Sequence, residues 1–496
     1  MNNKHLIILT LLIIGAGIIR LRPVTQHEKP LHYDSYYHVR VAQRIQETSS
    51  PLYQTNPWPR EKRPRLYPPL YHLSLIGISS ITGLSIITTT RFLLPIITLL
   101  ISIPIYLLVK KHWDKNSALV AAALMLFNPP LIYSSYDSPQ IIGVLLSIIT
   151  IHLILKEKPI YGGITMGIAF LFNPFSGVFL SFPFIIYLLV KKEFKHTGLF
   201  ASPIILSIIG WFSTRKNPIE ILTRSLNISL GPEIVFPFAY QGLILGIIFS
   251  TLLVIILLLI SGENNKQKNN HKETSLTPGK IKKKLQFISK DKLTLLLWIW
   301  LIFFFILFTS FLITPILYPW RQLLFFSIPL IILISREMTH PNIKSRQIFT
   351  FGVIFALISI TAVSHLGDLK PPLSNSDYTM IEEAEEKIPE EARILAHHDT
   401  CANLLTLTDN QCELDIFFES AKNPERWVDY SKIFVNPEEV DIEKTLEENE
   451  IDYLLLTEND PSEKIHEEVE LEKKYVSWGC EGNKCTEESS INKVKP

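Results

Sequence analysis

Cysteine is absent from the first 400 residues of this 496-residue chain, and all four cysteines (Cys401, Cys412, Cys480 and Cys485) come after them. No thiol is therefore at hand for catalysis or metal binding along the apolar part. Acidic residues are scarce there too, since 33 of the 47 lie beyond His365, against only 13 of the 48 Lys and Arg. The net charge of +1 thus hides a basic body and an acidic tail, and no nucleic-acid partner is expected. The tail has no glycine-rich loop and so no nucleotide fingerprint. The halves of the apolar part do not repeat each other and its acids sit at span ends, which speaks against a transporter or lipid flippase.

Apolar sequence is abundant. Residues 5–22 are long enough to cross a bilayer, and further apolar runs fall near 91–109, 117–133, 139–155, 160–173, 175–190, 197–213, 237–260, 293–313, 320–336 and 346–365. The Lys/Arg-rich turns are Lys110–Lys111, Lys156 with Lys158, Lys191–Lys195, Lys266–Lys292 and Arg336–Arg346. Cytoplasmic loops attract such residues. All five turns fall inside only if residues 70–88, apolar but studded with Ser, Thr, Gly and His72, lie in the interface or re-enter. The expected protein is a polytopic α-helical membrane protein of about eleven spans over residues 1–366, its N-terminus inside, with a small extracytoplasmic α/β domain over 367–496.

The tail supports that placement. Two locally spaced cysteine pairs suggest disulfides in an oxidising compartment, with zinc held together with His397 and His398 as the alternative. YTMIEEAEEKI and VDIEKTLEENE read as helices, ARILAHH as a strand and IDYLLLT as a buried strand.

On this topology three carboxylates share the outer face: Asp34 in LHYDSYYHVRVAQRI, Asp137 in YSSYDSPQ, and Glu233 in GPEIVF. Gathered acids repel unless a hard divalent cation, Mg2+ or Mn2+, bridges them. Arg321, opening a span at the same face, suits a phosphate, and His38 and Arg40 follow Asp34 within two helical turns as further substrate contacts. Each residue has a duller reading: Asp34 as an N-cap, Glu233 as a turn residue, Arg321 as a snorkelling cation. Asp137 is harder to dismiss, because an acid at the end of an apolar run is costly unless paired.

The stretches YDSYYHVR, YPPLYHLSL, RFLLPIITL, NPPLIYSSYDSPQ, SLGPEIVFPF and YPWRQLLFFSIPL together resemble the catalytic subunit of oligosaccharyltransferase in its single-subunit archaeal and bacterial forms, a GT-C glycosyltransferase. The resemblance implies metal-binding acids at Asp34 and Asp137, a catalytic glutamate at Glu233, a phosphate-gripping Arg321, and a segment before the second span that does not cross. Two departures stand out. Pro139 replaces the second acid of the Asp137 motif, and the acceptor-reading WWDYG signature keeps only Asp399, among His397 and His398. The implied activity is metal-dependent, inverting transfer of a sugar or oligosaccharide from a polyprenyl phosphate or diphosphate to an external protein or lipid acceptor, within membrane lipid. A monosaccharide transferase of the protein-mannosyltransferase or aminoarabinose-transferase kind and a catalytically silent relative are the alternatives.

Overall fold

The computed structural model describes residues 3–50, 67–136, 139–214, 291–311, 319–339, 375–389, 392–408, 412, 430, 432–434, 437–457, 465, 471–481 and 484–494. Its helices are α1 (Asn3–Gln26), α2 (Tyr33–Thr48), α3 (Leu70–Thr82), α4 (Ile86–Leu100), α5 (Ser102–His112), α6 (Lys115–Leu126), α7 (Pro129–Ser134), α8 (Gln140–Leu155), α9 (Pro159–Phe172), α10 (Pro174–Phe179), α11 (Phe182–Val190) and α12 (Phe194–Ser213). After the segment 215–290 come α13 (Lys292–Phe311), α14 (Pro319–Met338), α15 (Asn375–Lys387), β1 (Ile394–Ala396), α16 (His398–Leu407), α17 (Ile442–Glu448), β2 (Tyr453–Leu456), β3 (Leu471–Glu481) and β4 (Lys484–Val494). The chain divides into two compact units, one of Met1–Arg22, Leu93–Pro218 and Ser229–Asp368, the other of Pro23–Phe92, Ile219–Ile228 and Leu369–Pro496.

The first unit is helical. Among the described residues, Lys4–Gln26, Ile86–His112 and Phe194–Ser213 are long and apolar enough to cross a membrane, and the other apolar helices run shorter. Two of the expected spans, 237–260 and 346–365, lie outside the described residues. Helices α9 and α12 approach closely because α9 presents Gly163 and Gly167 one turn apart. A Cβ on Gly163 would strike the Phe200 carbonyl, and one on Gly167 would sit 2.6 Å from the Ser207 hydroxyl. Small residues at that spacing let backbones meet where burial alone gives no drive.

A polar cluster closes the end of this unit where α5, α13 and α14 meet. Arg336 pairs with Asp291 at 2.9 Å and donates to the Thr294 hydroxyl at 2.5 Å. The Trp113 indole also donates to Asp291, at 3.2 Å, and the Arg336 guanidinium lies 5.0 Å from the Trp113 ring centre. Burial works against the Asp291 charge, yet the hydroxyl and amide of Thr294, then Arg336 and Trp113, hold it below the usual carboxylate range.

The second unit combines α2 and α3 with the tail. Its sheet has the order β1-β2-β4-β3, with β1 and β2 parallel and the other pairs antiparallel. β2 is buried along its whole length, as its run of leucines demands. The core mixes tail residues such as Met380, Ile381, Leu395, Leu404 and Leu454 with Tyr36, Tyr37, Val41 and Ile45 of α2. Helix α2 is therefore a core element of the tail's fold although hundreds of residues separate them. Strand β1 ends at Ala396 and a helix starts at His398, where the sequence suggested strand through both histidines. The following run places Cys401 and Leu404 three apart, both buried, a helical period.

Helix α3 has 13 residues and stops at Gly83, whose φ of +72° suits a left-handed cap. At about 1.5 Å of rise per residue it is too short to cross an apolar core of about 30 Å.

Cys401 and Cys412 form a disulfide with Cα atoms 5.6 Å apart, which removes both thiols from the zinc alternative. Cys480 and Cys485 face each other in the β3–β4 register. The Cys401–Cys412 bridge closes a short loop against β1, where Cys412 pairs with Ile394. Replacing Cys401 with Ser is expected to cost about 2–4 kcal/mol. Thermal melting should fall by several degrees in the variant, and by at least as much in the wild-type protein under reductant.

Candidate functional site

The described part of the candidate site begins at α2. His32 precedes the helix with an extended backbone, and its ring accepts from the Asp34 amide at 3.3 Å, so His32 is the N-cap. Asp34 is half-buried in the first turn, where the helix dipole favours its negative charge. From Ser35 to Ala42 the helix is buried throughout. Four-residue spacing puts Asp34 and His38 on one face and Tyr36 and Arg40 on another.

One turn along α2 from Asp34, His38 Nδ1 and His72 Nε2 lie 3.0 Å apart, both rings buried. One nitrogen donates and the other accepts, so the contact couples the tautomer of one ring to that of the other. Tyr67 and Tyr71 meet the His38 ring edge to face, with centroids 5.2 and 4.9 Å away. The imidazole pair thereby ties α2 to α3. His72 was visible in the sequence only as a histidine in an apolar run. Its need for a buried polar partner was the signal that would have linked it to His38.

On the other face, Tyr36 and Tyr378 share a hydrogen bond of 2.5 Å between hydroxyls, and the Thr406 hydroxyl donates to the Tyr36 carbonyl at 3.1 Å. Burial, followed by Tyr378, pushes the Tyr36 phenol far above the usual tyrosine range, so it stays neutral. Arg40 lies 3.6 Å from Glu47, which also takes Arg44 at 2.8 Å. Arg91 donates to the carbonyls of Val24 and His27, fixing the chain as it leaves α1.

The first unit spans the sequence positions of Asp137, Glu233 and Arg321. Tyr136, the residue before Asp137, donates its hydroxyl to the Arg20 carbonyl at 2.6 Å. Asp137 and Glu233 themselves lie outside the described residues. Arg321 is the third residue of α14. In the second unit, Asp399 is the second residue of α16. Among the described residues no three His, Cys, Asp or Glu side chains gather into a metal-binding group.

Residues 24–158 match the family model of the oligosaccharyl transferase STT3 N-terminal region. That span includes Asp34, His38, His72 and Asp137. The fold is similar to that of the archaeal oligosaccharyltransferase AglB from Archaeoglobus fulgidus, solved with an inhibitory peptide and a dolichol-phosphate (TM-score 0.56, 13% identity, 92% of this chain and 70% of that one). A second structure of the Archaeoglobus fulgidus enzyme, in complex with Zn and sulfate, aligns with a TM-score of 0.52 at 12% identity over 90% of this chain and 68% of that one. The arabinofuranosyltransferase AftD from Mycobacteria matches all of this chain with 40% of its own length (TM-score 0.57, 12% identity). Comparison with curated protein sequences gives no match.

Proposed function

We propose, for a polytopic helical membrane protein that resembles STT3 over residues 24–158 and has the GT-C fold, that it is a glycosyltransferase using a lipid-linked donor. It moves a sugar or oligosaccharide from a polyprenyl phosphate or diphosphate to an acceptor on the outer side of the cell membrane. The observation that carries this reading is that the family match falls on the stretch holding both Asp34 and Asp137. The topology that goes with it has about eleven spans over residues 1–366, the N-terminus inside and the domain 367–496 outside.

In this reading the carboxylates of Asp34, Asp137 and Glu233 converge on the outer face. Their oxygens suit Mg2+ or Mn2+, a choice the zinc-bound archaeal relative leaves open. A hard cation there supplies charge opposite the departing phosphate. The backbone of Asp34 is held by the His32 N-cap, and one turn on the His38–His72 pair ties α2 to α3. Arg321 grips the phosphate oxygens. The acceptor attacks the anomeric carbon from the side away from the phosphate, the bond from that carbon to the phosphate oxygen breaks, and the configuration inverts. A carboxylate of the cluster takes the acceptor's proton. Asp399, at the start of α16, contacts the acceptor, while Arg40 acts through Glu47 to brace α2. The fold shared with the arabinofuranosyltransferase AftD supports, as second reading, a monosaccharide transferase of the protein-mannosyltransferase or aminoarabinose-transferase kind.

The test is a transfer assay on the purified protein in nanodiscs, with polyprenyl-phosphate-linked and polyprenyl-diphosphate-linked sugars and peptide or lipid acceptors. Sugar transfer is expected with Mg2+ or Mn2+ and is expected to stop with EDTA. If neither transfer nor release of the lipid phosphate occurs with any donor, the reading is wrong.

A further inference from the structure

Arg20 is a buried cation that the proposed mechanism does not use. It sits in α1 and is 1% exposed. Its Nη2 donates to the carbonyl of Leu126, the last residue of α6, while Nε and Nη1 are buried and meet no hydrogen-bond partner among the described residues. Among the described residues no carboxylate reaches it, and Tyr136 is its titratable neighbour.

Capping a helix accounts for only part of this. A helix C-terminus carries roughly half a negative charge, and a neutral donor would cap Leu126 as well. Arginine keeps its full charge at any accessible pH. A full charge with two unsatisfied donors inside a membrane-spanning helix is costly, and such residues are retained where they meet a charged ligand.

The place of Arg20 indicates which ligand. It lies six residues before the end of α1, about 9 Å of rise. On the topology proposed above, Arg20 lies near the level of the outer headgroup boundary, where lipid phosphates lie, with its side chain buried against the end of α6. The chain just after Leu126 is also tied to α14, because Asn128 donates to the Ser327 hydroxyl at 2.8 Å. Ser327 is six residues beyond Arg321 on the same helix. The segment that leads to Asp137 is thus anchored on one side to Arg20 and on the other to the helix of Arg321.

We infer that Arg20 binds the phosphate of a polyprenyl-linked lipid, as a second cation beside the one assigned to Arg321. This rests on the lipid-linked donor proposed above. It adds a residue from the first helix and asks that the lipid's phosphate, not its chain, be recognised there.

Binding to the full-length protein in nanodiscs is the test, with undecaprenyl phosphate, undecaprenol and phosphatidylglycerol as probes. Arg20→Met keeps the length of the stem and removes the charge. It is expected to weaken undecaprenyl phosphate binding by about 30-fold, the worth of a charge-assisted hydrogen bond, and to leave undecaprenol binding unchanged. Wild-type affinity of Arg20→Met for undecaprenyl phosphate overturns the inference and leaves Arg20 a cap of α6. Equal competition by phosphatidylglycerol overturns it too, because the site would then read any anionic headgroup. Should Arg20→Met not fold, hydrogen exchange on the wild-type protein decides. Amides of residues 124–136 are expected to slow with undecaprenyl phosphate but not undecaprenol, and equal rates with both overturn the assignment. Phosphate-dependent binding without sugar transfer keeps the Arg20 site and removes the transferase reading. Transfer by Arg20→Met at the wild-type KM does the reverse.

Discussion

Asp34→Ala yields a protein that inserts and melts as the wild type does but transfers sugar at least about 10²- to 10³-fold more slowly, the range for loss of one preorganised electrostatic group. The two effects separate because Asp34 contributes differently to each. To stability it offers a negative charge in the first turn of α2, worth about 0.3–1 kcal/mol, while the N-cap is His32 and the core contacts come from later residues. To catalysis, on the proposed mechanism, it would offer an oxygen ligand and a charge at the start of α2. Asp34→Asn should be nearly as inactive, since it keeps the shape and loses the charge. Raising Mn2+ should rescue it partly if the loss is in metal affinity. His38→Ala differs in kind, because it leaves the buried His72 without its ring partner and should lower the melting temperature along with activity. Activity of Asp34→Ala within a few-fold of wild type would remove Asp34 from the site.

The parts legible in the sequence are those set by local pattern. Apolar runs marked α1, α4, α8, α9 and α12, and the short continuous apolar run in IDYLLLT marked β2. Loop charge set residues 70–88 apart as a segment expected not to cross, and the 13-residue α3 occupies part of it. The β3–β4 hairpin escaped notice because LEKKYVSWGCE and KCTEESSINKV carry too many charged and small residues to show a clean two-residue period. His72 and Arg91 escaped for another reason. Each is ordinary in its own window and gains meaning only from a partner tens of residues away. The largest omission was the insertion of α2 into the tail's core. Tyr36 and Tyr378 are 342 residues apart, and no local period carries information over that distance.

That insertion makes the second large prediction. Ending the chain at Asp368 should cost the activity even though most of the candidate site precedes that point. Tyr36, Tyr37, Val41 and Ile45 are each less than 5% exposed, and they pack in a core otherwise built from the tail. Uncovering four such side chains forfeits about 1.5–3 kcal/mol apiece. A 16-residue helix is only marginally stable alone, so α2 should fray and release Asp34. Hydrogen exchange of residues 33–48 should accelerate by several orders of magnitude in the shortened protein, while that of α8, α9 and α12, which belong to the other unit, should stay slow. Tyr378→Phe gives the graded version. It removes one buried hydrogen bond, worth about 1 kcal/mol, and leaves the Tyr36 hydroxyl with the Pro30 carbonyl at 3.4 Å. The raised Tyr36 pKa sets the sign of the pH effect. The unfolded state releases the phenolic proton more readily, so the stability that this neutral phenol contributes is present below the ordinary tyrosine pKa and declines as pH rises above it. Losing about 1 kcal/mol, Tyr378→Phe should exchange α2 about fivefold faster at neutral pH. Unchanged protection of 33–48 after loss of the tail would mean that α2 holds itself in place, and the coupling between Asp34 and the C-terminal fold would have to be given up.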